Sequence, residues 1–320
     1  MTDAYTNEIL TQKVDQIVSK LVNQPLPPIQ PPPKVPTTSA EVASLIDHTL
    51  LAPASTLQEV RNVCSEAKKY KACTVCVNSS MIPIVSEELK GSGVHPISVV
   101  GFPFGSANTE GKVREAQVAV EQGAKEIDMV NEADISFHFL PLCCFPLVDF
   151  LFHLPLPLPL THTYRKWNKK KVQNIGLLKS GRYLEVYNDV LEVSKACGQA
   201  TLKVIIETSL LTAQEIIASS YLSCLALQGD GFIKTSTGYG GGGAKADDIR
   251  VMYEVCQLVS KELSLPGGRA TKVKASGGIR SLATVREMVQ NGAQRVGASG
   301  TSKIISEVEG GKVEADAGGY

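Results

Sequence analysis

Eight short runs rich in β-branched and aliphatic residues recur from about residue 40, and longer amphipathic segments separate them. The runs are SLIDHT, CTVCVN, ISVVGF, EIDMV, LKVIIET, GFIKTS, KVKASGG and RVGAS, and the segments between them include STLQEVRNVCSEAKKY and SLATVREMVQNGA. A strand followed by a helix, repeated eight times, closes into a barrel. The sequence therefore predicts the α/β class and a (β/α)8 TIM barrel, with a doubly wound open sheet as the lesser alternative.

The length of the chain fits this architecture only when two segments are set aside. The chain has 320 residues, whereas such barrels typically have roughly 250. Residues 1–39 are predicted to form an N-terminal helix, with Leu10, Val14 and Ile17 at helical spacing, and then a proline-rich linker, PLPPIQPPPKVP. We predict the barrel at 40–308, interrupted by an insert at 131–173, and a flexible C-terminal tail at 309–320.

The insert differs in composition from the rest of the chain. Its apolar part, FHFLPLCCFPLVDFLFHLPLPLPL, is long enough to span a membrane, but five prolines and Asp149 argue against a spanning helix. Its basic end, RKWNKKK, is interpreted as a solvated loop. Phe, Leu, Pro and Ser dominate the segment, and their codons can consist wholly of pyrimidines. We hypothesise that residues 131–173 are a retained intron that ends in the pyrimidine-rich tract before a splice acceptor.

Charge and cysteine content disfavour several function classes. The 32 basic residues balance the 32 acidic residues, so no overall field favours nucleic acid or a membrane surface as a partner. The start MTDAYTNEIL lacks the basic and apolar regions of a secretion signal, and we expect a cytoplasmic protein. Eight cysteines are too sparse for a disulfide scaffold. Neither the pair Cys73 and Cys76 nor any His, Asp or Glu cluster has metal-site spacing, so we expect no metal and no cofactor.

Two lysines close consecutive apolar runs. Lys234 is followed at once by TSTGYGGGG, and Lys274 by ASGGIR. Active sites of (β/α)8 barrels lie at the C-terminal ends of the strands, so both side chains are predicted to converge there. Two ammonium groups in a partly desolvated site lower each other's pKa, which makes one of them a nucleophile. The structural alternative is one lysine paired with a carboxylate and the other reaching solvent.

Glycine-containing loops follow the last three predicted strands. They lie at Gly238, at Gly277 and Gly278, and from Gly297 to Ser299. Their backbone N–H groups could hold a phosphate, and Arg280 would add positive charge.

Three further residues are candidates on the strands. Asp128, at the predicted end of the fourth strand, could move protons or pair with a lysine. Asp47 could bind a substrate hydroxyl or cap the turn after the first strand. His48 is interpreted as a packed, hydrogen-bonded residue rather than a metal ligand.

Taken in chain order, LIDHTLL, VCVN, VVGFPFG, EIDMV, LKVIIET, FIKTSTGYG, VKASGGIR and RVGASG resemble the motifs of the deoxyribose-phosphate aldolase family. The match covers about residues 40–308 apart from the insert. The resemblance implies a class I, metal-independent aldolase that interconverts 2-deoxy-D-ribose 5-phosphate with glyceraldehyde 3-phosphate and acetaldehyde. It implies that Lys234 forms the Schiff base, that Lys274 lowers its pKa, and that Asp128 transfers protons.

The resemblance also implies the binding residues and the partner, a small phosphosugar; it leaves open whether the chain forms a homo-oligomer. The implied polar and phosphate-binding residues are Asp47, Lys203, Thr237, Gly238, Gly277, Gly278, Gly297 and Ser299. Some relatives end in a mobile tail with a terminal tyrosine near the site, so Tyr320 is an auxiliary proton-transfer candidate. The insert departs from the family pattern and follows the Asp128 strand on the catalytic face. Rival interpretations are therefore an inactive or misfolded barrel, or another phosphate-binding barrel enzyme.

Overall fold

The computed structural model of the chain describes residues 5–22, 25–131 and 175–311. Within these ranges eight parallel strands close into a barrel in chain order, and the last strand pairs with the first. The strands are β1 (Ile46–Leu50), β2 (Thr74–Val77), β3 (His95–Val100), β4 (Glu126–Val130), β5 (Thr201–Ile205), β6 (Phe232–Lys234), β7 (Lys272–Ser276) and β8 (Arg295–Ala298). The predicted (β/α)8 barrel is confirmed, and the open sheet is excluded.

Helices surround the barrel. They are α1 (Asn7–Val22), α2 (Ser39–Ala43), α3 (Leu57–Tyr70), α4 (Ile82–Glu88), α5 (Thr109–Glu121), α6 (Ile175–Lys179), α7 (Tyr183–Cys197), α8 (Ala213–Leu227), α9 (Ala246–Glu262), α10 (Leu282–Gln290) and α11 (Thr301–Val308). Capping boxes begin α3 at Thr56 and α8 at Thr212, because each hydroxyl accepts a hydrogen bond from the backbone of a glutamate three residues later. Among the described helices, none is long and apolar enough to cross a membrane.

The N-terminal helix α1 packs against the barrel. Its residues Leu10, Val14 and Ile17 are buried in the same hydrophobic cluster as residues of α7 and α8. The following linker is held to the outer helices, since Arg250 of α9 donates to the carbonyl of Pro27 and Arg286 of α10 donates to that of Pro36. Helix α1 therefore adds a layer outside α7 and α8. The predictions for 132–173 and 312–320, including the intron hypothesis, fall outside the described residues.

Strand register determines which side chains meet inside the barrel. Successive residues of a strand point to opposite faces, so alternate residues of each strand face the interior. Lys234 lies beside Lys274 in the β6–β7 pairing, and Asp128 lies beside Lys203 in the β4–β5 pairing. The register thus places four charged side chains, one from each of four neighbouring strands, on the interior face of the barrel.

Candidate active site

Asp128 is the centre of the charged group inside the barrel. Its Oδ2 accepts hydrogen bonds from Lys234 Nζ at 2.8 Å and from Lys274 Nζ at 2.7 Å, and its Oδ1 accepts one from Lys203 Nζ at 2.8 Å. All four side chains are buried. The predicted convergence of the two lysines is therefore present. The ion pair that the sequence left open as an alternative role of Asp128 is also present, and it involves both Lys203 and Lys234.

The two converging lysines differ in how many carboxylates they contact. Lys274 Nζ also lies 2.5 Å from Asp47 Oδ2, whereas Asp128 is the carboxylate partner of Lys234 among the described residues. Burial lowers the pKa of the Lys234 amine, and the positive charge of Lys274 lowers it further. The contact with Asp128 raises this pKa but does not cancel the two other effects, so the pKa of Lys234 lies below its ordinary value. Burial would also lower the pKa of Lys274, but Asp128 and Asp47 outweigh it and raise that pKa.

Asp47 lies deeper in the barrel, at the second position of β1. Its carboxylate accepts hydrogen bonds from Arg295 at 2.7 Å and from the Thr74 hydroxyl at 2.7 Å, in addition to the contact with Lys274. The alternative that Asp47 caps the turn after β1 is wrong, because its oxygens are held by these interior partners. Its contact with a substrate hydroxyl stays a prediction.

Glu126 and Arg295 complete the lower part of the charged group, and sequence reasoning missed both. Glu126 Oε2 lies 2.5 Å from Lys203 Nζ and 3.2 Å from Arg295. Each residue lies two positions before a predicted site residue, Asp128 and Gly297 respectively. The two-residue period of a strand was the signal that could have found them.

A cavity opens at the C-terminal ends of β6, β7 and β8. It holds about 620 Å³ of empty space when the open solvent at its mouth is included. Seven of the predicted binding residues line it: Thr237, Gly238, Gly277, Gly278, Arg280, Gly297 and Ser299. Thr49, Leu51, Tyr239, Ser276, Ile279 and Ala298 also line it and were not predicted. Asp47, Lys203, Asp128, Lys234 and Lys274 are not among the lining residues, because they lie inside the barrel.

Two of the glycine positions have a steric explanation. Gly278, after β7, has a φ of +71°, a left-handed conformation that residues with a side chain seldom adopt. Gly297, on β8, has little space for a side chain: a Cβ there would lie 2.3 Å from Ser276 Oγ and 3.3 Å from Lys274 Cε. Glycine at 297 therefore allows Lys274 to extend beneath the cavity.

Glu207 supports the loop after β6, and sequence reasoning assigned it no role. Its carboxylate accepts hydrogen bonds from the Thr237 backbone N–H at 2.9 Å, from the Thr237 hydroxyl at 2.5 Å and from the Ser209 hydroxyl at 3.2 Å. It is fully buried and has a φ of +53°, a strained conformation for a residue other than glycine. A charged residue directly after an apolar strand was the available signal.

His48 lies outside the barrel interior, beneath the start of α11. Its Nδ1 hydrogen-bonds the Thr301 hydroxyl at 2.8 Å and its Nε2 lies 3.1 Å from Glu66. The interpretation of His48 as a packed, hydrogen-bonded residue is confirmed. Because α11 begins at Thr301, two residues after Ser299, its positive N-terminal end lies next to the cavity.

Possible metal ligands and free thiols also lie outside the charged group. Among the residues that the structure describes, no group of three or more His, Cys, Asp or Glu side chains could hold a metal ion. Cys76, on β2, is a buried free thiol, and burial together with the Asp128 charge raises its pKa to about 12.

Comparisons with known proteins show the family to which the chain belongs. The DeoC/LacD family aldolase profile matches residues 171–303, a stretch that contains all three interior lysines. A deoxyribose-phosphate aldolase from Staphylococcus epidermidis is 38% identical over 267 residues, which cover 83% of this chain and 96% of the relative. The chain belongs to the deoxyribose-phosphate aldolase family.

Solved structures of deoxyribose-phosphate aldolases resemble the chain as well. A candidate deoxyribose-phosphate aldolase from Coccidioides immitis has a TM-score of 0.74 and 33% identity, with 96% of this chain and 99% of that chain covered. The tetrameric deoxyribose phosphate aldolase from Aeropyrum pernix has a TM-score of 0.63 and 25% identity, with 92% of this chain and 96% of that chain covered. As a deoxyribose-phosphate aldolase family member, the chain is a carbon–carbon lyase of the aldolase type.

Proposed function

We propose that the chain is a class I aldolase that cleaves 2-deoxy-D-ribose 5-phosphate into glyceraldehyde 3-phosphate and acetaldehyde. One observation carries the proposal: a buried lysine with a lowered pKa, Lys234, shares a carboxylate oxygen with a second lysine next to a glycine-lined cavity. An amine must be neutral to attack a carbonyl carbon, and burial beside another cation favours the neutral form.

The proposed reaction begins at Lys234. Its amine adds to the C1 carbonyl of the open-chain sugar phosphate, and loss of water leaves a protonated imine. Removal of the C3 hydroxyl proton then breaks the C2–C3 bond, and the bonding electrons move towards the imine nitrogen. Glyceraldehyde 3-phosphate leaves, and an enamine remains on Lys234. Protonation at C2 and addition of water release acetaldehyde and restore the amine.

The other interior residues support proton transfer in this proposal. Asp128 lies within hydrogen-bond distance of the Lys234 amine and would exchange protons with the reacting groups through water. Lys274 would keep the Lys234 amine neutral, and Lys203 would hold the second oxygen of Asp128. Tyr320, outside the described residues, remains the proposed auxiliary proton donor.

The phosphate group would bind on the β7–β8 side of the cavity. The loops of Gly238, Gly277, Gly278 and Gly297 offer backbone N–H groups, Arg280 brings positive charge, and Ser299 adjoins the N-terminal end of α11. This arrangement resembles the phosphate site that many barrels build after strands seven and eight. Thr237, held by Glu207, and Asp47 would contact substrate hydroxyls.

The proposal extends to the partner and the location. The small phosphosugar is the proposed ligand, with no nucleic acid or membrane partner. Self-association is supported by the tetrameric relative from Aeropyrum pernix, and sedimentation analysis tests it. A phosphorylated substrate does not cross membranes unaided, which favours a cytoplasmic location.

Reductive trapping tests the function. The full chain is incubated with 2-deoxyribose 5-phosphate and borohydride, which converts the imine into a stable amine, and the modified lysine is mapped by peptide mass spectrometry. We expect the adduct on Lys234 and no loss of activity with a metal chelator. An adduct on Lys274 would reverse the assignment, and chelator-sensitive activity without an adduct would exclude the Schiff-base mechanism.

A further inference from the structure

The charged group inside the barrel has unequal numbers of cations and anions. In the described interior, four cationic side chains (Lys203, Lys234, Lys274 and Arg295) contact three carboxylates (Asp47, Glu126 and Asp128). If every member were ionised, the group would carry one excess positive charge inside the barrel. An uncompensated buried charge is costly, and a buried group usually loses it by changing its protonation state.

The contacts identify which member gives up its charge. Lys203 contacts all three carboxylates, and Lys274 and Arg295 contact two each. Lys234 contacts only Asp128 among the three, and Lys274 contacts the same Oδ2 atom of Asp128. Arginine stays protonated in proteins. The excess charge is therefore relieved most easily at Lys234.

Arg295 is the cation of this group most distant from Lys234 along the chain of contacts. From Lys234 the contacts run through Asp128 to Lys274, then to Asp47, and then to Arg295, with each step between 2.5 and 2.8 Å. Arg295 is also held by Glu126, and its guanidinium lies 5.2 Å from the centre of the Phe232 ring. It is thus a fixed charge near the floor of the barrel, separate from the cavity that would bind substrate.

We propose that Arg295 is a positioning residue that supplies the excess positive charge by which Lys234 is kept as a neutral amine. The inference rests on the proposed function for its catalytic consequence, while the charge balance itself does not depend on turnover. Glu126 opposes Arg295 from the same level of the barrel. Removing Arg295 should therefore favour protonated Lys234, and removing Glu126 should favour the neutral amine.

Other groups that face the interior do not alter this balance. Strand β2 contributes Thr74 and the thiol Cys76, and β3 contributes apolar Ile97 and Val99. Strand β6 contributes Phe232, whose ring also lies near Lys203 and Lys272. Lys272 is exposed at the start of β7, so solvent screens its charge.

The size of the effect follows from distance. The chain of contacts places the Arg295 guanidinium no more than about 13 Å from Lys234 Nζ, and at an effective dielectric constant of about 20 a unit charge at that distance shifts a lysine pKa by about one unit. The pH midpoint for reaction of Lys234 should therefore rise by about one unit in Arg295→Gln. It should fall by a similar amount in Glu126→Gln.

The test measures the reactivity of Lys234 without any turnover. The folded full-length variants receive short pulses of isotope-labelled formaldehyde and cyanoborohydride across a pH series, and modification of Lys234 is quantified by peptide mass spectrometry. The variants are Arg295→Gln, Glu126→Gln and the double variant, with Lys272→Gln as a matched control that removes an exposed charge. The double variant should return the midpoint to the wild-type value, because it removes one charge of each sign.

Opposite shifts in the single variants and recovery in the double variant support the proposal. Equal midpoints in Arg295→Gln and wild type, or a shift in the same direction for both single variants, overturn it. If Arg295→Gln does not fold, Glu126→Gln decides: a lower midpoint supports the proposal, and an unchanged or higher one overturns it. The two proposals can fail separately. If borohydride trapping gave no substrate adduct on Lys234, the proposed function would be refuted, while the pH midpoints of formaldehyde labelling would still test the charge balance.

Discussion

Replacing Lys274 by methionine tests the proposed activation of Lys234 directly. The change removes a buried ammonium group that contacts Asp47 at 2.5 Å and Asp128 at 2.7 Å, and it keeps a long unbranched side chain. Because both lysines donate to the same oxygen of Asp128, their Nζ atoms lie within about 5.5 Å. At an effective dielectric constant of about 20, two unit charges at about 5.5 Å repel by about 3 kcal/mol, or about two pKa units.

The sign of the effect is fixed by the proposed role of the amine. Lys234 must be neutral to react, so activity falls as the pH drops through its pKa. Loss of the neighbouring ammonium raises that pKa, and the acidic limb of the rate profile should move up by about two pH units. Below that limb the fraction of neutral amine, and with it kcat/KM for the retro-aldol reaction, should fall by about 100-fold.

The assay is the initial rate of 2-deoxyribose 5-phosphate cleavage from pH 5 to 10, with acetaldehyde measured by a coupled enzyme. Lys272→Met is the matched control, since Lys272 lies on the same strand and is exposed; its profile should be unchanged. Breaking a buried ion pair costs about 3–5 kcal/mol, so thermal unfolding of each variant must show a folded protein at the assay temperature. A slower Lys274→Met enzyme with the original pH profile would refute the proposed tuning.

Four further changes test other parts of the structure. Gly297→Ala should lower kcat/KM by at least about tenfold, since the new Cβ would lie 2.3 Å from Ser276 Oγ; an unchanged value in steady-state kinetics would contradict the packing argument. Glu207→Ala should raise KM for the phosphosugar about tenfold through loss of charge-assisted hydrogen bonds, with partial rescue in Glu207→Gln; a KM equal to wild type in both would argue against a role in holding the loop. Leu10→Ala should lower the free energy of unfolding by about 2–5 kcal/mol in urea without changing KM; no loss of stability would mean that α1 contributes little to the fold. Deleting 131–173 should raise soluble yield, because the five prolines in its apolar run oppose both a regular helix and pairing as a strand; a soluble, active full-length chain beside an insoluble deletion would refute the intron hypothesis.

The positions of all eight strands could be predicted, but some of their ends could not. The run LKVIIET extends to Thr208, whereas β5 ends at Ile205; the run GFIKTS extends to Ser236, whereas β6 ends at Lys234. The extra residues remain buried after the ladder stops. There the Thr208 backbone N–H donates to the carbonyl of Thr235, outside the ladder. An apolar run predicts that its residues are buried, but it does not distinguish a buried loop from a buried strand.

The interior of the barrel was only partly predictable for a related reason. A two-residue period shows that Glu126 and Asp128 share a face, and that Lys272 and Lys274 do. It does not show that Arg295, 169 positions along the chain, donates to Glu126. Such contacts depend on how the eight strands are staggered when the barrel closes.

The distinction between the two lysines comes from this closure. Lys234 and Lys274 each end an apolar run that precedes glycines, so the sequence pattern alone does not show which of them is the nucleophile. The assignment of Lys234 as the nucleophile rested on family resemblance. In the folded chain Lys274 faces two carboxylates and Lys234 faces one that it must share. Two neighbouring carboxylates stabilise the protonated form of Lys274. Lys234 is buried and shares its single carboxylate with another cation, which favours its neutral form. The reactivity proposed for Lys234 is therefore a property of the contacts made by its neighbours, and substitutions at those neighbours should alter it while Lys234 itself is unchanged.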